Sequence, residues 1–127
     1  MIVEVLIIGK QNDYVYAYSS FGAFFGIWCS QSPPELKTYV VELDTNDIIS
    51  ADMLTFSPIK QPSIRSRDDV TYLTGLVEVI EDNLIFLRIG ADLVMLEMAH
   101  DSDYSRYVGQ YVQVMLSKLR LYDLGLL

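Results

Sequence analysis

Residues 77–98 read Val77-Glu78-Val79-Ile80-Glu81-Asp82-Asn83-Leu84-Ile85-Phe86-Leu87-Arg88-Ile89-Gly90-Ala91-Asp92-Leu93-Val94-Met95-Leu96-Glu97-Met98. Three apolar, β-branched runs are cut at Asp82-Asn83 and again at Gly90-Ala91-Asp92, residues that suit turns. Each run is too short for a helix and lacks sustained helical spacing, so the stretch predicts successive strands. Beyond it, Ala99 to Arg106 is polar and predicts a single helical turn. Val108 to Leu116 then alternates Val112, Val114 and Leu116 against Tyr111, Gln113 and Met115. Leu119 and Leu121 alternate with Lys118, Arg120 and Tyr122 in a last strand.

The first half repeats this succession. Val3-Glu4-Val5, Tyr14-Val15-Tyr16, Phe24 to Trp28 and Thr38 to Leu43 parallel Val77-Glu78-Val79, Leu84 to Ile89, Leu93 to Leu96 and Gln110 to Met115. Val3 lies 36 positions before Tyr39, and Val77 lies 34 before Tyr111. Met1 to Ile8 is nearly continuous in apolar character and predicts a strand buried on both faces. Gly9 to Asp13 turns it into a hairpin with Tyr14 to Tyr18. There Tyr14, Tyr16 and Tyr18 share one face while Val15 and Ala17 share the other. The tyrosine face packs against a second layer or looks outward. Ser32-Pro33-Pro34 ends the third strand, and Ile48 to Phe56 has only partial helical spacing.

These signals predict a mainly β fold: antiparallel strands in a small barrel or sandwich, with little helix. The chain reads as one compact domain, 1–127, with similar halves 1–56 and 70–127. The polar connector Ser57 to Asp69, holding Pro58 and Pro62, is expected to be mobile.

Half the residues are hydrophobic and a fifth are charged, the composition of a folded chain. No run approaches the roughly 18 apolar residues that cross a bilayer. Met1 to Gly9 is interrupted by Glu4 and reads as a strand rather than a secretory signal. One cysteine, Cys29, excludes an internal disulfide and suits a reducing cytoplasm. Seventeen acids against nine bases give a net charge of −8. Glu42, Asp44, Asp47 and Asp52 form one acidic run. Glu78, Glu81, Asp82, Asp92, Glu97, Asp101 and Asp103 form another, while Lys60, Arg65 and Arg67 gather in the connector. Such acids either keep an apolar protein soluble or attract a basic partner.

Catalytic and metal-binding sets are poorly represented. A lone histidine, His100, and a lone cysteine cannot supply the four soft ligands of a structural zinc site. Cys29 follows Trp28 in an apolar run without a nearby base, which predicts an inert thiol. Asp101-Ser102-Asp103 lacks the glycine and closing glutamate of a calcium loop, and no Gly-rich phosphate loop is present. The expectation is no enzyme, no metal and no cofactor.

Residues 72–122 resemble a small OB-like β-barrel in strand order and in the long gap between the third and fourth strands. That resemblance implies a nucleic-acid or oligosaccharide module, but a polyanion needs a basic groove and these strands are bordered by acids. In size, charge and missing chemistry the whole chain resembles the small acidic bacterial immunity proteins that neutralise nuclease toxins. That resemblance implies a cytoplasmic, non-catalytic inhibitor presenting an acidic face to a basic protein, with no nucleic-acid or membrane partner. The expected face carries Asp92, Glu97, Asp101 and Asp103, with Tyr104 and Tyr107 as exposed aromatic anchors; the other acidic cluster, Glu42, Asp44 and Asp47, is the alternative. A scaffold or assembly subunit is the competing class.

Overall fold

The computed structural model describes residues 1–100 and 103–127. The chain is mainly β. In the first half, β1 (Ile2–Gln11), β2 (Tyr14–Ser19), β3 (Gly22–Trp28) and β4 (Thr38–Asp44) are followed by the short β5 (Ile48–Ile49), a 3₁₀ turn (Ala51–Met53) and β6 (Leu54–Phe56). Then come β7 (Ser63–Arg67), β8 (Val70–Glu81), β9 (Leu84–Ile89), β10 (Asp92–Met98), a second 3₁₀ turn (Ser105–Tyr107), β11 (Tyr111–Leu116) and β12 (Leu119–Asp123).

The strands close into a barrel in the order β1-β2-β3-β12-β4. The closing strand comes from the far end of the chain. β12 runs parallel to β3, with Leu119 opposite Gly26, and antiparallel to β4, with Leu121 opposite Leu43. The second sheet has the order β5-β10-β9-β8-β11-β6. Its closing segment comes from the first half: β5 runs parallel to β10, and β6 pairs antiparallel with β11. Each set of four strands is therefore completed by the segment that follows the fourth strand of the other. We call β1–β4 with β12 barrel one. The second set is a seven-stranded sheet, with β7 also paired to β8. Its end strands β5 and β6 are joined through the 3₁₀ turn rather than paired with each other, and for its correspondence to the first we call it barrel two.

The two barrels match residue for residue through their first three strands. β2 starts at Tyr14 and β9 at Leu84, while β3 starts at Gly22 and β10 at Asp92, a constant offset of 70 positions. The left-handed turn residues Asn12 (φ 56°) and Asp82 (φ 54°) obey it. So do the β-bulges, between Ile7 and Gly9 in one hairpin and between Val77 and Val79 in the other. A bulge adds one residue to one strand and bends the pair, which is how a sheet curls toward closure. The matching words Val3-Glu4-Val5 and Val77-Glu78-Val79 are not equivalent positions, since the offset pairs Val77 with Ile7.

The crossings that carry β5 and β12 to the opposite barrels are tied together. The Ser117 amide donates to Asp47 at 2.7 Å and the Ser117 hydroxyl donates to the same carboxylate at 2.9 Å. Gly26 admits β12: a Cβ there would lie 2.6 Å from the Leu119 carbonyl oxygen. Inside barrel one, Val5, Ile7, Val15, Ala17, Val41 and Leu121 are at most 1% exposed; in barrel two, Ile49, Val77, Ile85, Leu87, Leu96 and Val114 are at 0%. Side chains of Val and Leu size contribute about 1.5–3 kcal/mol each on full burial.

Three local expectations are corrected. β12 belongs to barrel one and not to a barrel formed by the second half alone. Ser63–Arg67, expected within the connector, is a strand paired along β8, so the irregular link covers 57–62. β1 is not buried on both faces: Val3, Val5 and Ile7 point inward, while Ile2, Leu6 and Ile8 are 53%, 42% and 54% exposed. The apolar run gave no sign that one of its faces meets water.

Candidate functional site

The acidic residues singled out in the second half are not accompanied by exposed side chains of Tyr104 and Tyr107. Asp92 opens β10, and its carboxylate accepts the Ile2 amide at 2.8 Å and the Leu93 amide at 3.2 Å. The Ile2 hydrogen bond holds the Asp92 carboxyl below its usual range. The Leu93 amide, the N-terminal ammonium and Arg88 assist, against the opposing effect of partial burial. Asp92 thus joins the start of β1 to barrel two. The Asp103 carboxylate accepts the Ser105 amide at 3.0 Å, and Ser105 keeps that carboxyl below its usual range. Asp101 lies outside the described residues.

Tyr104 and Tyr107 are buried, at 5% and 3% exposure, which corrects their expected role as exposed anchors. The Tyr104 hydroxyl donates to the Ala99 carbonyl at 3.0 Å. The Tyr107 ring packs 4.7 Å from Phe56 and lies under the Arg106 guanidinium. Both rings fold inward and pin the loop to barrel two. Glu97 is exposed on β10, opposite Ile48 of β5. It lines a hollow of about 390 Å³ with Asp44, Asp47, Leu84 and Met95, so the two acidic runs of the sequence meet there.

The large exposed apolar surface lies on barrel one. Tyr14, Tyr16 and Tyr18 point outward from β2, at 38%, 50% and 58% exposure, because Val15 and Ala17 take the core positions between them. Register makes their surface continuous: Tyr18 is opposite Leu6 of β1 and Ala23 of β3, and Tyr16 is opposite Phe25. The Tyr16 and Phe25 rings are 6.1 Å apart and tilted. Ile8, pushed out at the bulge, shares a small hollow with Tyr16, Ala23 and Phe25. At the lower end Lys118 Nζ lies 4.5 Å from the Tyr14 ring centre and 5.8 Å from that of Phe25.

Acids border this aromatic face. Glu4 is exposed on β1 between Ile2 and Leu6, and Glu42, opposite Ile2 on β4, is paired with the N-terminal ammonium at 3.5 Å. Asp68 and Asp69, at the β7–β8 turn, share a hollow of about 410 Å³ with Tyr14, Tyr16, Phe25 and Lys118. Two bases lie nearby as well: Lys118 sits on the face beside Tyr14 and Phe25, and Lys10 donates to the Pro34 carbonyl at 2.9 Å. The alternation around Val15 and Ala17 was the signal for the tyrosine face. The apolar partners on β1 carried no such signal, since inward and outward positions are equally hydrophobic.

Elsewhere, Cys29 is half-buried with its thiol toward the Ile27 carbonyl, and His100 is exposed. Among the described residues, no three His, Cys, Asp or Glu side chains are arranged to hold a metal ion, and no helix is long and apolar enough to cross a membrane. Compared with protein-family models, curated proteins and solved structures, the chain has no match.

Proposed function

We propose that the chain is a non-catalytic protein-binding module that docks a basic protein on the outer face of barrel one. Within this reading it acts as an immunity-like inhibitor of a nuclease-type toxin. The observation that carries it is the continuous surface of exposed Leu6, Ile8, Tyr16, Tyr18 and Ala23 with half-buried Phe25. Contiguous apolar patches rimmed by polar groups mark interaction sites, and tyrosine supplies large contact area at low entropic cost. Rigid strands hold these rings in place before a partner arrives, so little ordering entropy opposes binding. The acids Glu4, Asp68 and Asp69 around the face outnumber Lys118 on it and favour a basic partner, whose association opposite charge speeds.

The test is retention of proteins from bacterial lysate by the immobilised chain, at low and high salt, beside a Tyr16→Ser/Tyr18→Ser variant. A basic protein held by the original chain and lost from the variant is expected, with a nuclease activity that the chain suppresses. Central aromatic anchors cost about 2–4 kcal/mol on truncation, or roughly 30- to 1,000-fold in affinity. Equal retention by the variant would remove the face from consideration. Capture of single-stranded nucleic acid through the same tyrosines would replace the protein-binding reading with base stacking.

A further inference from the structure

A groove of different chemistry begins at β7, which borders the tyrosine face through Ser66. Its floor is the outer surface of β7, β8, β11 and β6. Register sets four polar side chains in one row across it: Ser63 opposite Thr74, Thr74 opposite Gln113, and Gln113 opposite Thr55. The next row places Arg65 opposite Tyr72 and Tyr72 opposite Met115. Phe21, Phe56, Pro58, Ile59 and Pro62 wall one end of a hollow of about 590 Å³ that reaches Arg65 and Gln113. An adjoining hollow of about 280 Å³ continues from Arg65 and Gln113 to Arg67 and Tyr72. Along the groove the order is therefore an apolar end, then Arg65, then Arg67.

Charge and preorganisation both point to an occupant. Residues 60–67 hold Lys60, Arg65 and Arg67 and no acid, in a chain with almost twice as many acids as bases. None of the three forms an ion pair among the described residues, whereas Arg88 is paired with Glu78 at 2.7 Å. Arg67 instead lies 6.0 Å from the Tyr72 ring centre. Phe56 and Ile59 are 52% and 58% exposed beside them. The apolar wall is fixed in place: Ser57 donates from its amide to the Tyr111 carbonyl at 2.9 Å and from its hydroxyl to the Ile59 carbonyl at 2.8 Å.

We propose that this groove binds an extended acidic peptide segment with one aromatic or aliphatic side chain followed by acids at alternate positions. Arg65 and Arg67 project from the same face of β7, two residues and so about 6.8 Å apart along the strand. An extended peptide presents alternate side chains at that same spacing. Two carboxylates separated by one residue therefore meet the two guanidinium groups in step, and arginine forms forked, charge-assisted bonds with carboxylates. The apolar residue ahead of them enters the hollow between Phe56 and Ile59, and Gln113 and Ser63 are within the groove to bond the peptide backbone. The two faces meet at Ser66, but Arg65, Arg67 and Phe56 belong to the groove alone and Tyr16 and Tyr18 to the tyrosine face alone.

Fluorescence anisotropy on the whole chain provides the test, with a labelled acetyl-Phe-Ser-Glu-Ser-Glu-amide peptide as probe. Controls are the same peptide with Lys for Glu, five-residue oligothymidylate, and citrate as competitor. The Glu peptide is expected to bind at least tenfold more tightly than the Lys peptide. Arg65→Glu and Arg67→Glu should each weaken it at least tenfold, and Phe56→Ser about fivefold, with circular dichroism unchanged. Tyr16→Ser/Tyr18→Ser should leave it unaltered, which separates failure here from failure of the protein-docking face. Equal binding of the two peptides, tighter binding of oligothymidylate, full displacement by equimolar citrate, or insensitivity to Arg65→Glu would each overturn the proposal.

Discussion

Barrel one and barrel two present the same backbone positions to solvent with different chemistry. Tyr14, Tyr16 and Tyr18 on β2 correspond to Leu84, Phe86 and Arg88 on β9, and Phe25 on β3 corresponds to Met95 on β10. At the bulge, exposed Ile8 corresponds to Glu78. In barrel two, Arg88 and Glu78 therefore form an ion pair across a position that in barrel one is apolar and open. The inward sets are both apolar, with Ala17, Phe24 and Trp28 of barrel one standing where barrel two has Leu87, Val94 and Met98. Closure depends on the core, the bulge and the turn, which leaves the outward positions free to differ. The exposed apolar surface is the one where no such ion pair forms across the strands.

The comparison can be broken most severely at the exchanged strands. Leu121→Asp would bury an unpaired charge in barrel one at a position with 0% exposure. We expect a loss of about 4 kcal/mol or more. Because β5 and β6 are held in barrel two by the same chain that forms barrel one, urea unfolding followed by fluorescence and by circular dichroism should still show one transition. Survival of barrel two's amide protection after loss of barrel one's would show that the barrels are independent. Next come the equivalent positions Gly26 and Leu96. Leu96→Ala should cost about 2–5 kcal/mol through its cavity, and Gly26→Ala about 1–3 kcal/mol through the clash with the Leu119 carbonyl. A neutral Gly26→Ala would mean that β12 yields without cost.

Asp92→Asn should lower stability at neutral pH by about 1 kcal/mol, by weakening the charge-assisted bond to the Ile2 amide. The folded carboxyl titrates below its unfolded counterpart. Its stabilisation is thus complete above an unfolded pKa of about 4 and disappears as pH falls through the lowered folded value. Denaturation midpoints of the two proteins should separate at pH 7 and converge in acid; a constant gap would refute the electrostatic origin. The smallest effect is expected for Arg88→Ala, about 0.2–1 kcal/mol and declining with salt, since this pair lies near the surface. A larger, salt-insensitive loss would show that packing by the Arg88 stem supports barrel two.

The strands of both barrels were legible because alternation and turn residues are local signals. Leu121 alternates with Arg120 and Tyr122, which identifies an inward side chain but not the barrel it enters. The partner of a strand is a non-local property, and β12 could not be assigned from its own residues. β7 was hidden for another reason: Ile64 is its only core residue among Ser63, Arg65, Ser66 and Arg67, and Pro62 precedes it. Shared words also misled the alignment of the halves, because Val-Glu-Val fits any strand while the bulge fixes the offset. At the candidate site, the outward tyrosines followed from Val15 and Ala17. Tyr104 and Tyr107 did not follow from their polar neighbours, since a loop aromatic turns inward when a cleft such as that beside Phe56 accepts it.

The reciprocal closing strands give the two barrels different histories on the ribosome. For barrel two, the closing residues 48–56 are synthesised before β8 begins, so the sheet can close as soon as β11 emerges. For barrel one, β4 ends at Asp44 and β12 starts at Leu119, an interval of 75 residues. At translation rates of roughly 5–20 residues per second, the edges of β3 and β4 stay unpaired for about 4–15 s. Those edges include the apolar run Phe24-Phe25-Gly26-Ile27-Trp28, the kind of exposed strand that recruits other chains. The nascent protein is therefore most vulnerable to aggregation through the barrel that later carries the tyrosine face, and a chaperone that covers β3 during that interval would serve this chain best.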